Sequence, residues 1–147
     1  MYISMSTKQV NAVLKNKNLR ITPARTSVLQ IFLRESSALS HADIEKKLGT
    51  DLDRVTLYRT LSSFLESGLI HKVPDEAGVQ RFAYCNHDHH EHEGEHIHTH
   101  VHFNCNACAK TFCLDDIHIP PVNLPMGFTQ AESVYLVKGI CNSCSRK

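Results

Sequence analysis

The first part of the chain carries apolar side chains at helical spacing in four consecutive stretches. The second stretch opens at Thr22-Pro23, where proline fits the first helical position because the N–H it lacks has no partner within a helix. Ser40 and Asp53 are residue types that cap helices, and they open the third and fourth stretches. The inward positions are Val10, Val13, Leu14, Val28, Leu29, Phe32, Leu33, Ile44, Leu48, Leu57, Leu61, Phe64 and Leu65. We therefore expect four helices around one core, the last ending at Gly68.

Two short strands are predicted after the helices, LIHKV at 69–73 and RFAYC at 81–85, joined by the turn-forming segment PDEAGVQ. Helices followed by a hairpin indicate a winged helix-turn-helix, in which the fourth helix enters the major groove and the hairpin lies along the backbone. Polar side chains on that helix can donate to phosphates or contact base edges. The alternatives are an ordinary solvated helix face and a protein-docking module. The outward positions are Arg54, Thr56, Tyr58, Arg59 and Ser62.

Histidines dominate the middle of the chain in two different patterns. Residues 86–97 form a His/acidic tract of low complexity, which indicates a flexible loop with incidental metal affinity. After it, His98, His100 and His102 alternate with other residues, so a strand would present all three on one face. Three imidazoles on one face favour a metal-binding role for at least one of them.

Two C-x2-C pairs, Cys105/Cys108 and Cys141/Cys144, flank the C-terminal third of the chain. The two-residue gap lets both sulfurs of a pair reach one metal, and four thiolates suit tetrahedral Zn²⁺. Because 32 residues separate the pairs, the metal would close a small subdomain rather than a single turn. Disulfides are the alternative.

Cys85 and Cys113 belong to neither pair, and a lone cysteine in a strand is usually a small buried hydrophobe. Their position near the histidine face, with His71 on the first hairpin strand, indicates a second metal site instead. Thiolate and imidazole donors select Zn²⁺ over harder ions. The choice among His98, His100 and His102 stays open at this stage.

Composition narrows the class of protein. The chain has 147 residues, 41% of them hydrophobic and 21% charged, and no run approaches the length of a membrane span. Six cysteines without an export signal predict a cytoplasmic protein whose thiols serve metal. Residues 1–84 carry 12 Lys and Arg against 8 Asp and Glu, a balance of +4, whereas residues 85–147 carry 4 against 7, a balance of −3. The first half is therefore the half suited to an anionic partner.

Together these motifs resemble the ferric uptake regulator (Fur) family of metal-dependent repressors, and most closely its zinc-responsive branch (Zur). The resemblance rests on T-P-x-R (Thr22 to Arg25), on T-L-Y-R-T-L (Thr56 to Leu61), on the hairpin, and on the run that ends at Cys108 with the terminal C-x-x-C. It covers nearly the whole chain. It implies a homodimer that represses uptake genes at a palindromic operator in double-stranded DNA.

The resemblance also assigns roles to residues. It implies that Tyr58 contacts a base, and we expect DNA contacts from Arg20, Arg25, Arg54, Thr56, Tyr58 and Arg59. The implied regulatory zinc ligands are His71, Cys85, a strand histidine and Cys113. Iron-type members instead place a glutamate near Ala83 or Cys85 and often a histidine where this chain has His41, so Fe²⁺ stays open as the regulatory metal.

Several positions depart from the family pattern. Cys113 stands where a glutamate is usual, and Ala109 replaces a glycine after C-x-x-C. Thr99 and Val101 stand where a third site would have a histidine and an aspartate. The segment IHIPPVNLPMGF holds three prolines, so it cannot form the long dimerisation helix. SVYLV (133–137) still predicts a buried strand.

We therefore expect an α/β (α+β) fold with three regions: a winged-helix DNA-binding domain at 1–84, a His-rich hinge at 85–98, and a dimerisation and zinc-binding domain at 99–147. Metal ligands drawn from both domains would favour the DNA-competent state over looser apo states. A zinc-buffering or trafficking protein is the competing class. A metalloenzyme acting on a small organic substrate is not expected, because four protein ligands leave no position for water.

Overall fold

A computed structural model describes residues 5–75, 77–84, 100–117, 119–131 and 133–147. The chain divides into two compact units, Met1–Asn86 and His87–Lys147. The elements of the first unit are α1 (Thr7–Asn16), α2 (Pro23–Arg34), β1 (Leu39–Ser40), α3 (His41–Leu48), α4 (Arg54–Glu66), β2 (Ile70–Val73) and β3 (Arg81–Tyr84). The elements of the second unit are β4 (Val101–Cys105), β5 (Thr111–Leu114), β6 (Tyr135–Gly139) and α5 (Asn142–Ser145). Within the described ranges, no helix is long and apolar enough to cross a membrane.

The helices of the first unit begin where their capping side chains predict. Thr22 and Asp53 each accept a hydrogen bond from the backbone N–H three residues on, at 3.2 and 2.9 Å. Ser40 and Asp43 cap each other's backbone N–H groups in a capping box. These bonds satisfy N–H groups that have no partner inside a helix, and so they fix where α2, α3 and α4 start.

The end of α4 is also the predicted one. Gly68 adopts φ 68°, a left-handed conformation that other residues rarely take. The N–H of Leu69 then reaches back to the carbonyl of Phe64 at 2.9 Å, which is the bond of a Schellman motif. The chain therefore turns directly from the helix into β2.

One apolar core holds the first unit together, and the predicted inward positions supply most of it. Leu33, Leu48, Leu65 and Val13 pack at its margin, partly buried. The fully buried members are Val10, Leu14, Val28, Leu29, Phe32, Leu39, Ile44, Leu57, Leu61, Phe64, Leu69, Ile70 and Phe82. Because this set spans every helix of the unit and the hairpin, the outward face of α4 is held on a rigid support.

The hairpin belongs to a three-stranded antiparallel sheet of order β1-β3-β2. Strand β1 is only two residues long, pairing Leu39 with Phe82 and Ser40 with Arg81, and its sequence carries no pattern that predicts it. The arrangement of helices, short β1 and hairpin is a winged helix-turn-helix, so the predicted fold class of this half is confirmed. The predicted strand 81–85 ends at Tyr84 among the described residues, and Cys85 lies outside them.

The second unit is a three-stranded sheet of order β5-β4-β6. Strand β4 pairs antiparallel with β5 and parallel with β6. Gly139 allows the parallel pair to approach closely, since a Cβ there would lie 3.2 Å from the Phe103 ring. The described residues between β5 and β6 form neither helix nor strand, in keeping with the proline-rich sequence.

The prediction of a buried strand at 133–137 is wrong in position and in burial. Strand β6 spans Tyr135–Gly139, two residues later, and Val134 and Val137 are 55% and 48% exposed. An apolar run such as SVYLV predicts an interior strand, but in the single chain β6 lies at an edge of the sheet. The predicted hinge at 85–98, including the His/acidic tract, lies outside the described residues, so the domain boundaries stay a prediction.

Candidate metal centres and nucleic-acid interface

Four cysteine sulfurs meet at one end of the second unit. Those of Cys105, Cys108, Cys141 and Cys144 all lie within 4.8 Å of one another, and the sulfurs of Cys108 and Cys141 are 3.9 Å apart. A tetrahedral zinc site with bonds of about 2.3 Å places its sulfurs about 3.8 Å apart. None of the four is in a disulfide. The geometry therefore fits the predicted four-cysteine Zn²⁺ site.

The sheet explains how two distant pairs converge. Strands β4 and β6 run parallel, and the pairing ends with Cys105 beside Gly139. Both strands therefore deliver their C-terminal ends to the same edge, where each C-x2-C begins. The N–H of Cys141 donates to the Cys105 sulfur at 3.3 Å across this edge.

The first knuckle is also the loop that joins β4 to β5. The Cys105 N–H donates to the Lys110 carbonyl at 2.9 Å, and the Ala109 N–H donates to the Cys105 carbonyl at 2.8 Å. Closing this turn requires φ 56° at Ala109. A glycine takes this conformation without steric cost, which gives a physical reason for the glycine that the family pattern places there.

The thiols of this cluster influence one another's ionisation. Backbone N–H groups of Cys141 and Cys108 stabilise the Cys105 thiolate and lower its pKa to about 6. Hydrogen bonding with the Cys141 sulfur, together with burial, raises the pKa of Cys144 to about 12. Four thiolates this close repel one another, and a divalent cation removes that repulsion. The donor set is thus poised for a metal cation.

A second group of donors lies on one face of β4 and β5. His102 pairs directly with Cys113 in the antiparallel register, and His100 precedes His102 by two residues on the same face. The two imidazole rings are 4.5 Å apart and both histidines are buried. Their donor atoms and the Cys113 sulfur lie within 4.8 Å of one another. Two imidazoles and a thiolate are ligands that suit Zn²⁺.

A carboxylate that the sequence pattern did not single out accompanies this group. Asp115 follows β5, and its Oδ1 lies 4.0 Å from Nδ1 of His100. A carboxylate beside one ring nitrogen favours a proton on that nitrogen and leaves the other to bind metal. Asp115 lies two residues after Cys113, so a strand would present both side chains on the same face. This spacing is the one feature of the sequence that indicates Asp115.

The remaining predicted regulatory ligands are only partly described. His71 lies on β2, opposite Ala83, and is buried. Cys85 and His98 lie outside the described residues.

Two of the predicted DNA-contacting side chains on α4, Arg54 and Thr56, make hydrogen bonds within the protein. Arg54 donates to both carboxylate oxygens of Glu45, at 2.8 and 3.3 Å, from an exposed position. The Thr56 hydroxyl donates to the Asp53 carboxylate at 2.6 Å, so it also serves the helix cap. The Arg54–Glu45 pair therefore joins the N-terminal turn of α4 to α3, and the Thr56–Asp53 bond supports the start of α4 itself.

Tyr58 is an exposed aromatic side chain of α4. It is 52% exposed, and its ring stacks on His41, with centroids 3.9 Å apart. Burial lowers the pKa of His41, and the neighbouring Glu45 and Arg54 act in opposite senses on it. His41 therefore packs as a neutral ring against the predicted recognition helix.

The other predicted DNA contacts are arginines on α4 and around the start of α2. Arg59 is exposed on α4, and Arg20 is exposed before α2. The Arg25 guanidinium donates to the Arg20 carbonyl at 2.9 Å and so fixes the chain that leads into α2.

Comparisons with known proteins agree with this architecture. The model of the ferric uptake regulator family matches residues 16–124. The chain is 29% identical to the ferric uptake regulation protein of Staphylococcus epidermidis (strain ATCC 12228 / FDA PCI 1200) over 148 residues, covering 97% of this chain and 99% of that protein. It is 26% identical to the peroxide operon regulator of Bacillus subtilis (strain 168) over 150 residues, covering 95% and 94%.

Solved structures share the fold. A zinc uptake regulator in complex with zinc and DNA superposes with a TM-score of 0.63 at 24% identity, covering 95% of this chain and 93% of that one. The ferric uptake regulator of Vibrio cholerae gives a TM-score of 0.58 at 20% identity, covering 89% and 98%.

A winged helix-turn-helix joined to a small α/β unit with a four-cysteine cluster defines a metal-dependent transcriptional regulator. The chain belongs to the ferric uptake regulator family.

Proposed function

We propose that this protein is a zinc-sensing repressor of metal-uptake genes. The observation that carries the proposal is the thiolate donor Cys113 opposite His102 and beside His100. Thiolate and imidazole favour Zn²⁺, whereas an Fe²⁺ sensor is better served by imidazole and carboxylate oxygen. By their names, the Staphylococcus epidermidis relative points to iron and the zinc uptake regulator points to zinc. The donor chemistry favours zinc.

Two zinc ions per chain are proposed. One is structural and is held by Cys105, Cys108, Cys141 and Cys144. The other is regulatory and is held by His100, His102, Cys113 and a fourth ligand from the preceding part of the chain. His71 is our first choice for that ligand because it is a buried imidazole, and Cys85 is the alternative.

Ligands taken from both halves of the sequence would make regulatory zinc a link between the DNA-binding and dimerisation domains. Such a link stabilises the DNA-competent arrangement over others and so couples metal concentration to operator occupancy. Because imidazole and thiol must lose protons to bind metal, the apparent zinc affinity falls as pH falls.

The proposed partner is a palindromic operator in double-stranded DNA. The support is the exposed outer face of α4, where Tyr58 and Arg59 project, and the +4 balance of residues 1–84. Arg20, Arg25, Arg54 and Thr56 complete the proposed contact surface.

The protein is proposed to act as a cytoplasmic homodimer. The described part of the second unit exposes a set of large apolar side chains. These are Ile117, Val122, Leu124, Met126, Phe128, Val134, Val137 and Ile140. A second copy of the chain would cover them.

The test is a metal titration of the one-zinc form under anaerobic conditions. The operator is first obtained by selecting duplexes with a randomised core on zinc-loaded protein. Binding to the selected duplex is then followed as Zn²⁺ or Fe²⁺ is added. We expect activation by Zn²⁺. Activation by micromolar Fe²⁺ that persists in Cys113→Ala would contradict zinc sensing and support the iron alternative.

The competing function is zinc buffering or trafficking through the His/acidic tract, with the winged helix as a docking module. It predicts zinc binding without metal-dependent, sequence-specific retardation of any duplex. The same titration therefore separates the two functions. No enzymatic activity on a small organic substrate is proposed, because four protein ligands around each metal would leave no coordination position for water or substrate.

A further inference from the structure

His41 occupies the junction of three elements of the first unit. It is the first residue of α3, and its imidazole stacks on Tyr58 of α4 with an angle of 28° between the rings. The edge of the same imidazole faces Phe82 of β3, at 5.8 Å and 82°. One ring thus lies between the predicted recognition helix and the hairpin.

The stack matters because about half of the Tyr58 side chain is exposed. An exposed tyrosine on a helix normally exchanges between side-chain rotamers, and ordering it on a ligand reduces the affinity. Here the ring is already packed against an aromatic partner at 3.9 Å. Stacked aromatic pairs are stabilised beyond the area they bury. The phenol is therefore preorganised before any DNA arrives.

The surroundings of His41 support a packing role rather than a metal-binding one. Neither group of potential metal ligands found among the described residues includes it. The ion pair between Glu45 and Arg54 joins α3 to α4 one helical turn away from the stack. The two contacts together fix α4 against α3 at the level of Tyr58.

We infer that His41 is a positioning residue that orients the Tyr58 ring for reading a base, an inference that rests on the proposed DNA binding by α4. It acts through the tyrosine ring, and it is not a ligand of the regulatory metal. A variant that keeps an aromatic ring at position 41 should keep the function, and a variant without a ring should lose it.

The experiment compares full-length, zinc-loaded proteins on duplexes with a randomised core. The variants are His41→Ala, His41→Phe, Tyr58→Ala and the double variant His41→Ala/Tyr58→Ala. Sequencing the retained duplexes gives the base preference at each position, and titration of the best duplex gives the affinity. His41→Gln serves as a second ringless variant if His41→Ala does not fold, as judged by circular dichroism.

We expect His41→Ala to lose base preference at the same positions as Tyr58→Ala and to bind the best duplex about tenfold more weakly, the size of one base contact. His41→Phe should stay within about twofold of the wild type, because the aromatic contact is preserved. The double variant should be no weaker than Tyr58→Ala alone, since the two residues act as one unit. The zinc concentration at half-activation should be unchanged in His41→Ala.

The inference is overturned if His41→Ala keeps the wild-type base preference, or if it loses preference at positions that Tyr58→Ala leaves intact. It is equally overturned if His41→Phe is as weak as His41→Ala, since the imidazole nitrogens would then matter rather than the stack. Failure of the proposed function gives a different result, because zinc-loaded wild-type protein would then select no sequence at all.

Discussion

The two donor clusters of the second unit differ in how many of their metal ligands that unit supplies. The four-cysteine cluster is complete within it: both strand ends bring their pairs together, and all four donors are of one chemical type. The cluster of His100, His102 and Cys113 mixes imidazole with thiolate, and its three donors come from β4, from β5 and from the residue directly before β4. A site that is complete in one unit can only stabilise that unit. A site that needs a further protein ligand from another part of the chain can bind its metal fully only when that part is in place. Such a site can therefore couple metal binding to the arrangement of the chain.

The largest expected effect comes from breaking the complete cluster. Cys105→Ser should lose the structural zinc and unfold the second unit, because metal binding at such sites, about 10–16 kcal/mol in small zinc peptides, is folding free energy. Zinc content per chain and circular dichroism measure this. Cys113→Ser is the matched control and should keep one zinc and the fold. A folded Cys105→Ser protein with full zinc would remove the distinction between the clusters.

The next effect comes from the incomplete cluster. Cys113→Ala should shift the zinc concentration needed for operator binding by roughly 100-fold or more, because a direct ligand matters at least as much as the groups that support it. One tightly held zinc per chain should remain. His71→Ala and Cys85→Ala, measured in parallel, identify the fourth ligand, and His41→Ala should leave the zinc response unchanged. The reverse ranking would point to an iron site.

Operator binding itself tests whether α4 reads sequence. Tyr58→Ala should weaken binding to the best duplex by about 1–3 kcal/mol and relax the preference at its base pair. Arg59→Ala should instead weaken all duplexes alike and reduce the slope of affinity against salt by about 1. Both are measured by binding titrations at several salt concentrations. Unchanged operator affinity in both variants would remove α4 from the groove.

The smallest effect concerns Ala109, directly after Cys108 in the loop that joins β4 to β5. Ala109→Gly should raise the free energy of unfolding of the zinc-loaded protein by about 0.5–1 kcal/mol. The change removes the strain of an alanine in the left-handed conformation, and this gain exceeds the loss caused by the extra entropy that glycine gives the unfolded chain. Thermal unfolding measures it. The control is Ala107→Gly, in the same loop, because Ala107 does not have a positive φ. This change should lower the stability. Equal shifts in both variants would mean that the backbone at Ala109 costs nothing.

The parts of the fold that depend on local sequence were predictable. Helix starts at Pro23, His41 and Arg54 follow from capping residues, and the helix end before Gly68 follows from a left-handed glycine. Strand β1 was missed because two residues show no period, and β6 was displaced because the boundary of an edge strand depends on its partner. The four-cysteine cluster was predictable because C-x2-C spacing encodes the geometry within each pair.

The second cluster was predictable only in part. Alternation of His100 and His102 indicated a shared face, but their meeting with Cys113 depends on the register between β4 and β5. No sequence period encodes that register. Asp115, Glu45 and the stack of His41 on Tyr58 were missed for the same reason, since each contact joins elements that only the tertiary structure brings together.

The loop that carries Cys105 and Cys108 also sets the alignment of β4 with β5, and a slip of one residue would turn His102 away from Cys113. Under the proposed function, the loop that would hold the structural zinc therefore also fixes the geometry of the regulatory donors. A chain that lacked its structural zinc would then be a defective sensor, rather than a sensor in its apo state.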